Sequence, residues 1–460
     1  LRRNTKIVLT PKTGAADAKK LYTILKYQAA ELTTADGKTK KATTGLISEY
    51  TNKFGSSGTA VSQFAYTYDA WGNLTKIQDV TAGKERTYTY NQYSEVTKAV
   101  EAYKNGTKNT YSYTYDNGGN LLTETINGVK HTYTYDAVWK DKLISYDGKA
   151  ITYDTFGCPL NYMGSAMTWD IYGGLTSVKK GTNTTTYTYM GDGQRRSKTV
   201  NGVTTTYHYN NGMLLSETTG NETLRYYYDS TGKVASGVYK KGTGEENSYF
   251  FARNVQGDII AIYRSKDSKL IGTYEYDLWG KLISITEATA GIDTDGILKK
   301  NPFRYRGYYY DNETGFYYLK ARFYDPQIRR FISADSMSVL MVATVSISCK
   351  NLFAYSENNP VTGKDSTGNV VDTVFDVASL VGSIVDVCCN PTDPWAWAGL
   401  AGDIVDLIPG ATGIGEMVKG GRATEKVSEA VGDTVDSVTD TVKVASKCGA
   451  DSMPMGLIGG

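Results

Sequence analysis

YTYDAWGNLTKI at Tyr66–Ile77 and YTYDNGGNLLTE at Tyr113–Glu124 state one pattern twice. Each alternates Tyr and Thr, places Asp after the second aromatic, makes a Gly-containing turn, and resumes with Leu. Tyr-Thr-Tyr at a period of two puts both rings on one strand face and Thr on the other, and both residue types are strong strand formers. Asp-x-x-Gly supplies the turn, because Asp bonds back to the chain and Gly accepts positive φ. A second short strand such as Leu-Thr-Lys-Ile then returns antiparallel. The unit is a hairpin too small to bury a face alone.

Outward from these two, the unit recurs as YTYDAVWKDKLI, ITYDTFGCPLNY, TWDIYGGLTSV, YTYMGDGQRRSKTV, YHYNNGMLLSE, YYYDSTGKVASG and YEYDLWGKLISI. From the third unit on, the residue after the second aromatic falls at 136, 154, 170, 190, 210 and 229, in steps of 18, 16, 20, 20 and 19. This spacing predicts a repeat array whose stacked neighbours share aromatic pairs in one long, curling sheet. The expected fold class is mainly β.

Composition agrees. The 460 residues include 38 Tyr, 11 Phe and 6 Trp, with 48 Gly and only 9 Pro. A hydrophobic share of 40% with 21% charged excludes a wholly disordered chain, and the low Pro count excludes collagen. No uncharged apolar stretch of about 18 residues is present, which excludes a helical integral membrane protein. The net charge of +2 hides an asymmetry: residues 371–460 hold 13 Asp/Glu against 5 Lys/Arg, leaving 35 against 45 in the first 370. The last Tyr is Tyr355, so two parts with different physics join near residue 370. Neither excess is dense enough for a nucleic-acid surface.

The five cysteines, Cys158, Cys349, Cys388, Cys389 and Cys448, are odd in number and irregularly spaced. They predict neither a disulfide framework nor a zinc site, and no cofactor or metal is expected. His131 and His208 lie at strand positions inside repeats and read as packed or rim residues. DTDG at Asp293–Gly296 lacks the downstream Glu of a calcium loop and reads as a turn. GATGIG at Gly410–Gly415 lacks a preceding strand, so it is a poor nucleotide loop. The chain opens Leu-Arg-Arg without a visible signal peptide, which suggests a fragment whose N-terminus lies upstream.

The repeats resemble the YD repeats of the Rhs family, which includes bacterial wall-associated proteins and, more distantly, teneurins. The resemblance runs from about Tyr66 to Gly368. It implies hairpins spiralling into a hollow shell that encloses a C-terminal polypeptide. Residues 1–60 read as degenerate or incomplete repeats, 61–300 as the shell, 301–370 as a core segment and 371–460 as a tail.

Asn301–Asp335, NPFRYRGYYYDNETGFYYLKARFYDPQIRRFISAD, resembles the Rhs core signature. By itself, Arg interleaved with aromatics suggests a nucleic-acid platform. The preferred reading is a dense cap in which Arg304, Arg306, Arg322, Arg329 and Arg330 pair with Asp311, Glu313, Asp325 and Asp335. A second signature, NLFAYSENNPVTGKDSTGN at Asn351–Asn369, follows an apolar insert at Met337–Lys350. In the family this core plugs one end of the shell and works as an aspartyl-type autoprotease that frees the C-terminal piece. The resemblance makes Asp335 and Asp365 the acid pair, Arg322 the supporting cation, and Asn369–Val370 the cut bond. Two neighbouring carboxylates resist double ionisation, so one serves as acid while the other activates water. The sequence departs from the family at Ser336 and Ser366, which stand where Pro is usual, and at Asn369, where a bulky apolar residue is common. Two readings stay open: an impaired single self-cleavage, or two aspartates serving only as turn formers.

In the tail, residues 370–390 predict a helix with one polar stripe through Asp372, Asp376, Ser379, Ser383, Asp386 and Asn390. Asp393-Pro394 opens a second helix that Pro409-Gly410 stops, and Val427 to Val442 mark a third. A small helical module is preferred to a membrane-active segment, because its acidity opposes anionic lipid. DIVDLIPGATGIGEMVKGG resembles the pre-toxin region of polymorphic toxins. No toxin constellation follows Asn369. The expected role is a secreted or cell-surface scaffold that encapsulates and delivers an effector in cis, with an immunity protein and a cell-surface glycan as further possible partners. The alternative is a surface adhesin or wall-associated protein whose repeats bind carbohydrate. No residues support a multiple-turnover enzyme.

Overall fold

A computed structural model describes residues 5–11, 14–33, 39–335, 351–365, 368 and 371–373. The chain forms two compact units, one of Asn4–Ala30 with Thr43–Val377, the other of Leu1–Arg3, Glu31–Ala42 and Ala378–Gly460. Of the second unit, only residues 31–33 and 39–42 are described, as strand ends. The first holds the core segment and nearly all of a 25-stranded sheet running from Lys6–Leu9 to Leu282–Glu287. From the third strand (Thr39–Phe54) onward, each strand pairs antiparallel with its successor in the chain. The sheet is one continuous meander. The mainly β expectation is borne out, and residues 6–54 already supply its first three strands.

Three local devices repeat along it. The first is the turn. Asp69 Oδ1 accepts the N–H groups of Trp71 and Asn73, each at 2.9 Å, and Gly72 follows at φ +83°. Asp116, Asp154, Asp170 and Asp277 make the same pair of bonds to the second and fourth residues after them. The Asp that marks the period is thus a turn carboxylate, bonding its own backbone.

The second device is a bulge. Register shifts by one residue just before the second aromatic, at Thr67/Tyr68, Thr89/Tyr90, Thr114/Tyr115, Thr134/Tyr135, Thr188/Tyr189 and Glu275/Tyr276. Repeated bulges add local bend and twist in one sense, which curls a long sheet.

The third explains why the second aromatic is Tyr and not Phe. Tyr90 Oη donates to the Leu74 carbonyl, Tyr115 to Val96 at 2.7 Å, Tyr135 to Leu121 at 2.8 Å and Tyr189 to Leu175 at 2.8 Å. Each phenol bonds a carbonyl of the preceding unit, stapling repeat to repeat. Where Trp169 replaces Tyr, its Nε1 donates to Pro159 O at 2.7 Å. The first aromatics, Tyr66, Tyr88, Tyr113, Tyr133, Tyr187, Tyr207 and Tyr226, are buried with Leu74, Val96, Leu121 and Leu175 in one apolar core.

The sheet comes back on itself. Asn52 Nδ2 donates to Arg253 O at 2.7 Å, Arg86 Nη2 to Tyr276 O at 3.1 Å, and Lys84 pairs with Glu275 at 2.5 Å. The core segment lies against the Tyr-bearing face. It adds a four-stranded meander (Tyr309–Asp311, Phe316–Tyr318, Phe323–Asp325, Arg330–Phe331) and a two-stranded hairpin of Gly363–Asp365 with Val371–Thr373.

That hairpin corrects one expectation. The helix predicted over 370–390 does not begin at Val371, because 371–373 form a strand with Asp365 opposite Val371. Val370, Val371 and Thr373 are β-branched and favour strand. Residues 374–460, with the rest of the tail helices, lie outside the described residues.

Candidate functional site

The core segment is bound to the repeats through buried charge. Asp311, fully buried, accepts from Arg195 Nη1 at 2.7 Å and Lys198 Nζ at 2.8 Å, and Lys198 also reaches Glu313 at 2.9 Å. Arg329 lies 2.6 Å from Glu124 and 3.3 Å from Asp277. Tyr309 and Tyr226 each donate to Glu217 at 2.6 Å, and Tyr162 donates to Asp325 at 2.8 Å. Arg330 bonds Tyr135 Oη and the Asp141 carbonyl, while Arg304 and Arg306 bond backbone carbonyls. The cap of arginines paired with carboxylates of the same segment therefore gives way: Arg329 pairs with carboxylates of the repeats, Arg330 with a phenol and a carbonyl there, and Arg304 and Arg306 with backbone carbonyls. Only Arg322 keeps the expected partners. Burial alone would raise Asp311, but Arg195 and Lys198 outweigh it and hold the carboxyl below 3.8. At Glu217 burial wins over the two phenols and the carboxyl is pushed up.

Arg322, Asp335 and Asp365 come together. Arg322 Nη2 lies 2.7 Å from Asp335 Oδ2 and 3.6 Å from Asp365 Oδ2, with little of any of the three side chains exposed. The guanidinium stacks on Phe331, 3.7 Å from the ring centroid. Its Nη1 donates to Leu352 O at 2.9 Å and its Nε to Gly368 O. Burial lowers the pKa of Arg322, against the pull of the two carboxylates. Asp335 is placed by its N–H on Leu352 O at 2.9 Å, and Asp365 by its N–H on Tyr308 Oη at 3.0 Å. Gly368 donates its N–H to Asp365 Oδ1 at 2.6 Å. It sits at φ +83°, and a Cβ there would lie 2.9 Å from Leu319 O, so only Gly fits. Asn369 and Val370, the expected cut, lie outside the described residues, as do Ser336 and Ser366.

The other candidates fall into place. Asp293 accepts from Ile297 N and Leu298 N and starts a short helix, which makes DTDG a turn. His131 Nδ1 lies 2.6 Å from Asp147, and His208 is exposed on its strand. Cys158 is free, and burial pushes its thiol up to about 12.

A buried core segment joined to a Tyr-stapled meander is the feature against which other proteins can be compared. A family model described as Teneurin YD-shell matches residues 18–361.

The chain belongs to the teneurin YD-shell family.

The kinship read from its repeats is thereby borne out. The tRNA nuclease WapA of Bacillus subtilis is 35% identical to this YD-shell over 280 residues, which is 59% of this chain and 11% of that protein. The tRNA3(Ser)-specific nuclease WapA of Bacillus spizizenii matches to the same extent. Double-stranded DNA deaminase toxin A of Burkholderia cenocepacia is 35% identical over 65 residues, 14% of this chain and 4% of its own. The crystal structure of TcdB2-TccC3-Cdc42 shares the fold at 20% identity and a TM-score of 0.52, covering 81% of this chain and 22% of that one. The YD-shell described here thus spans a minor part of each of these proteins.

Proposed function

We propose that this YD-shell is the shell-and-plug scaffold of a secreted or cell-surface toxin, enclosing a C-terminal effector and separating from it by one self-cleavage. The observation that carries the reading is the clamp of Arg322 on Asp335, Asp365 and the Gly368 carbonyl, one residue before Asn369. In the proposed step, water adds to the Asn369 carbonyl carbon and one carboxylate of the pair takes its proton. The other carboxyl, protonated, gives its proton to the Val370 nitrogen as the C–N bond breaks. Arg322 holds the carboxylates and, through the Gly368 carbonyl, the chain just ahead of the cut bond. An immunity protein that neutralises the freed effector belongs to the same reading. The carbohydrate-binding alternative draws no support from Tyr66, Tyr88, Tyr113, Tyr133, Tyr187, Tyr207 and Tyr226, the first aromatics of their units, whose rings are buried.

Intact-mass analysis of purified protein beside Asp335→Asn tests it. The expected result is two fragments parting at Asn369/Val370 in the parent and one uncut species in a variant that still unfolds cooperatively at a lower temperature. One uncut species in both overturns the reading.

A further inference from the structure

Arg322 does not hold its two carboxylates equally. Asp335 lies within hydrogen-bond distance at 2.7 Å, whereas Asp365, at 3.6 Å, lies beyond it. If the pair is to act together, other bonds must keep Asp365 in place. Its Oδ1 takes the Gly368 N–H at 2.6 Å, a bond within its own turn.

The two aspartates are also braced crosswise. Asp335, at the end of the first core signature, donates its N–H to Leu352 O of the second at 2.9 Å. Asp365, in the second signature, donates its N–H to Tyr308 Oη of the first at 3.0 Å. The first brace ends on a backbone carbonyl, which any residue at position 352 would supply. The second ends on a side chain, so it depends on one residue type.

Tyr308 is itself fixed. It is buried, its N–H bonds Tyr305 O at 2.9 Å, and its carbonyl accepts from Arg304 N at 3.1 Å. Its phenol lies 3.1 Å from that of Tyr355, a fully buried ring that stacks on Tyr324 at 4.1 Å. The Asp365 N–H thus meets an acceptor on a rigid support, and a buried N–H that loses its acceptor is costly. The next residue, Tyr309, donates instead to Glu217 and ties the core segment to the repeats. Adjacent tyrosines therefore have separate tasks.

We propose that Tyr308 is a positioning residue for the self-cleavage: its phenol, steadied by Tyr355, takes the Asp365 N–H and keeps that carboxyl beside Arg322 and Asp335. The proposal rests on the self-cleavage reading and adds to it a residue outside the acid pair and its cation. Tyr308 acts through Asp365 and not on the bond being cut.

The test uses the full chain, recovered unfolded from inclusion bodies, refolded by dilution at set pH and followed by intact mass. Tyr317 supplies the control, because its phenol donates to Gly280 O at 2.8 Å in the same buried core and bonds no aspartate. A misplacement of about 1 Å costs up to about a hundredfold in rate, so Tyr308→Phe should slow cleavage about tenfold or more. The pH midpoint of the rate should shift too, because the spacing of Asp365 from Arg322 and Asp335 changes. Hydrogen exchange should show the Asp365 amide losing protection in the same variant. Tyr317→Phe should lower the melting temperature comparably and leave the rate, its pH midpoint and the Asp365 amide as in the parent. Tyr355→Phe keeps the acceptor oxygen but removes the phenol that steadies it. It should slow cleavage by less than Tyr308→Phe and by more than Tyr317→Phe, a comparison that holds even where Tyr308→Phe does not fold. Parental cleavage in Tyr308→Phe, equal slowing in Tyr317→Phe and Tyr355→Phe, or an Asp365 amide still protected in Tyr308→Phe would overturn this proposal alone. A parent chain that stays whole would overturn the self-cleavage reading and this proposal with it.

Discussion

The phenol of Tyr189 ends on the carbonyl of Leu175, and that single bond is the smallest unit of cohesion between repeats. Removing one intramolecular hydrogen bond costs about 1 kcal/mol net, and somewhat more if the abandoned carbonyl stays dry. Tyr189→Phe should therefore lower stability by about 1 kcal/mol, read as a fall in the urea midpoint with an unchanged slope. Tyr115→Phe should add to it independently, because the two staples share no partner. The turn and the aromatic alternation were legible because they are local: Asp bonds residues two and four places on, and a strand has a period of two. The bulge and the staple were not, since both depend on which strand lies alongside. One signal was present in the sequence. The slot three residues into each return strand is apolar at Ile77, Ala99 and Val178 but is Glu124, Lys198 and Glu217 elsewhere, and those three anchor the core segment.

At the scale of the element, the core segment is tied to the repeats by pairs 116 residues apart for Arg195–Asp311 and 205 apart for Glu124–Arg329. Spacing along the chain carries no record of such pairs, which is why its arginines were read as serving its own carboxylates. Arg322 with Asp335 and Asp365 was legible only through the family signature, and the clamp on Gly368 not at all. Breaking a buried pair by removing one partner strands the other charge and costs about 3–5 kcal/mol. Asp311→Asn should destabilise by that order at pH 7, measured by urea unfolding. The pH dependence has a definite sign. The Asp311 carboxyl is held below 3.8 in the folded state, so its contribution is present above 3.8 and is lost as pH falls through the folded value. The destabilisation by Asp311→Asn should therefore shrink below pH 3.8.

At the scale of the molecule, a meander whose strands contact mainly their neighbours would behave as a one-dimensional array, able to fray from either end. Two features join distant parts: the contacts of Asn52 with Arg253 and of Arg86 with Tyr276, and the core segment that spans Asn73 to Trp279. Severing the core from the repeats should split one unfolding transition into several, visible by calorimetry of an Arg329→Met, Asp311→Leu variant.

The central claim is that the sheet returns on itself around the core segment, and zero-length carbodiimide cross-linking read by peptide mass spectrometry tests it directly. Lys84 and Glu275 are 2.5 Å apart, and Lys198 and Glu313 are 2.9 Å apart, all within reach of the reagent. Isopeptide links Lys84–Glu275 and Lys198–Glu313 should form alongside the neighbouring-strand link Lys26–Glu49, whose groups lie 3.0 Å apart. Recovery of the Lys26–Glu49 link without the other two would contradict the account.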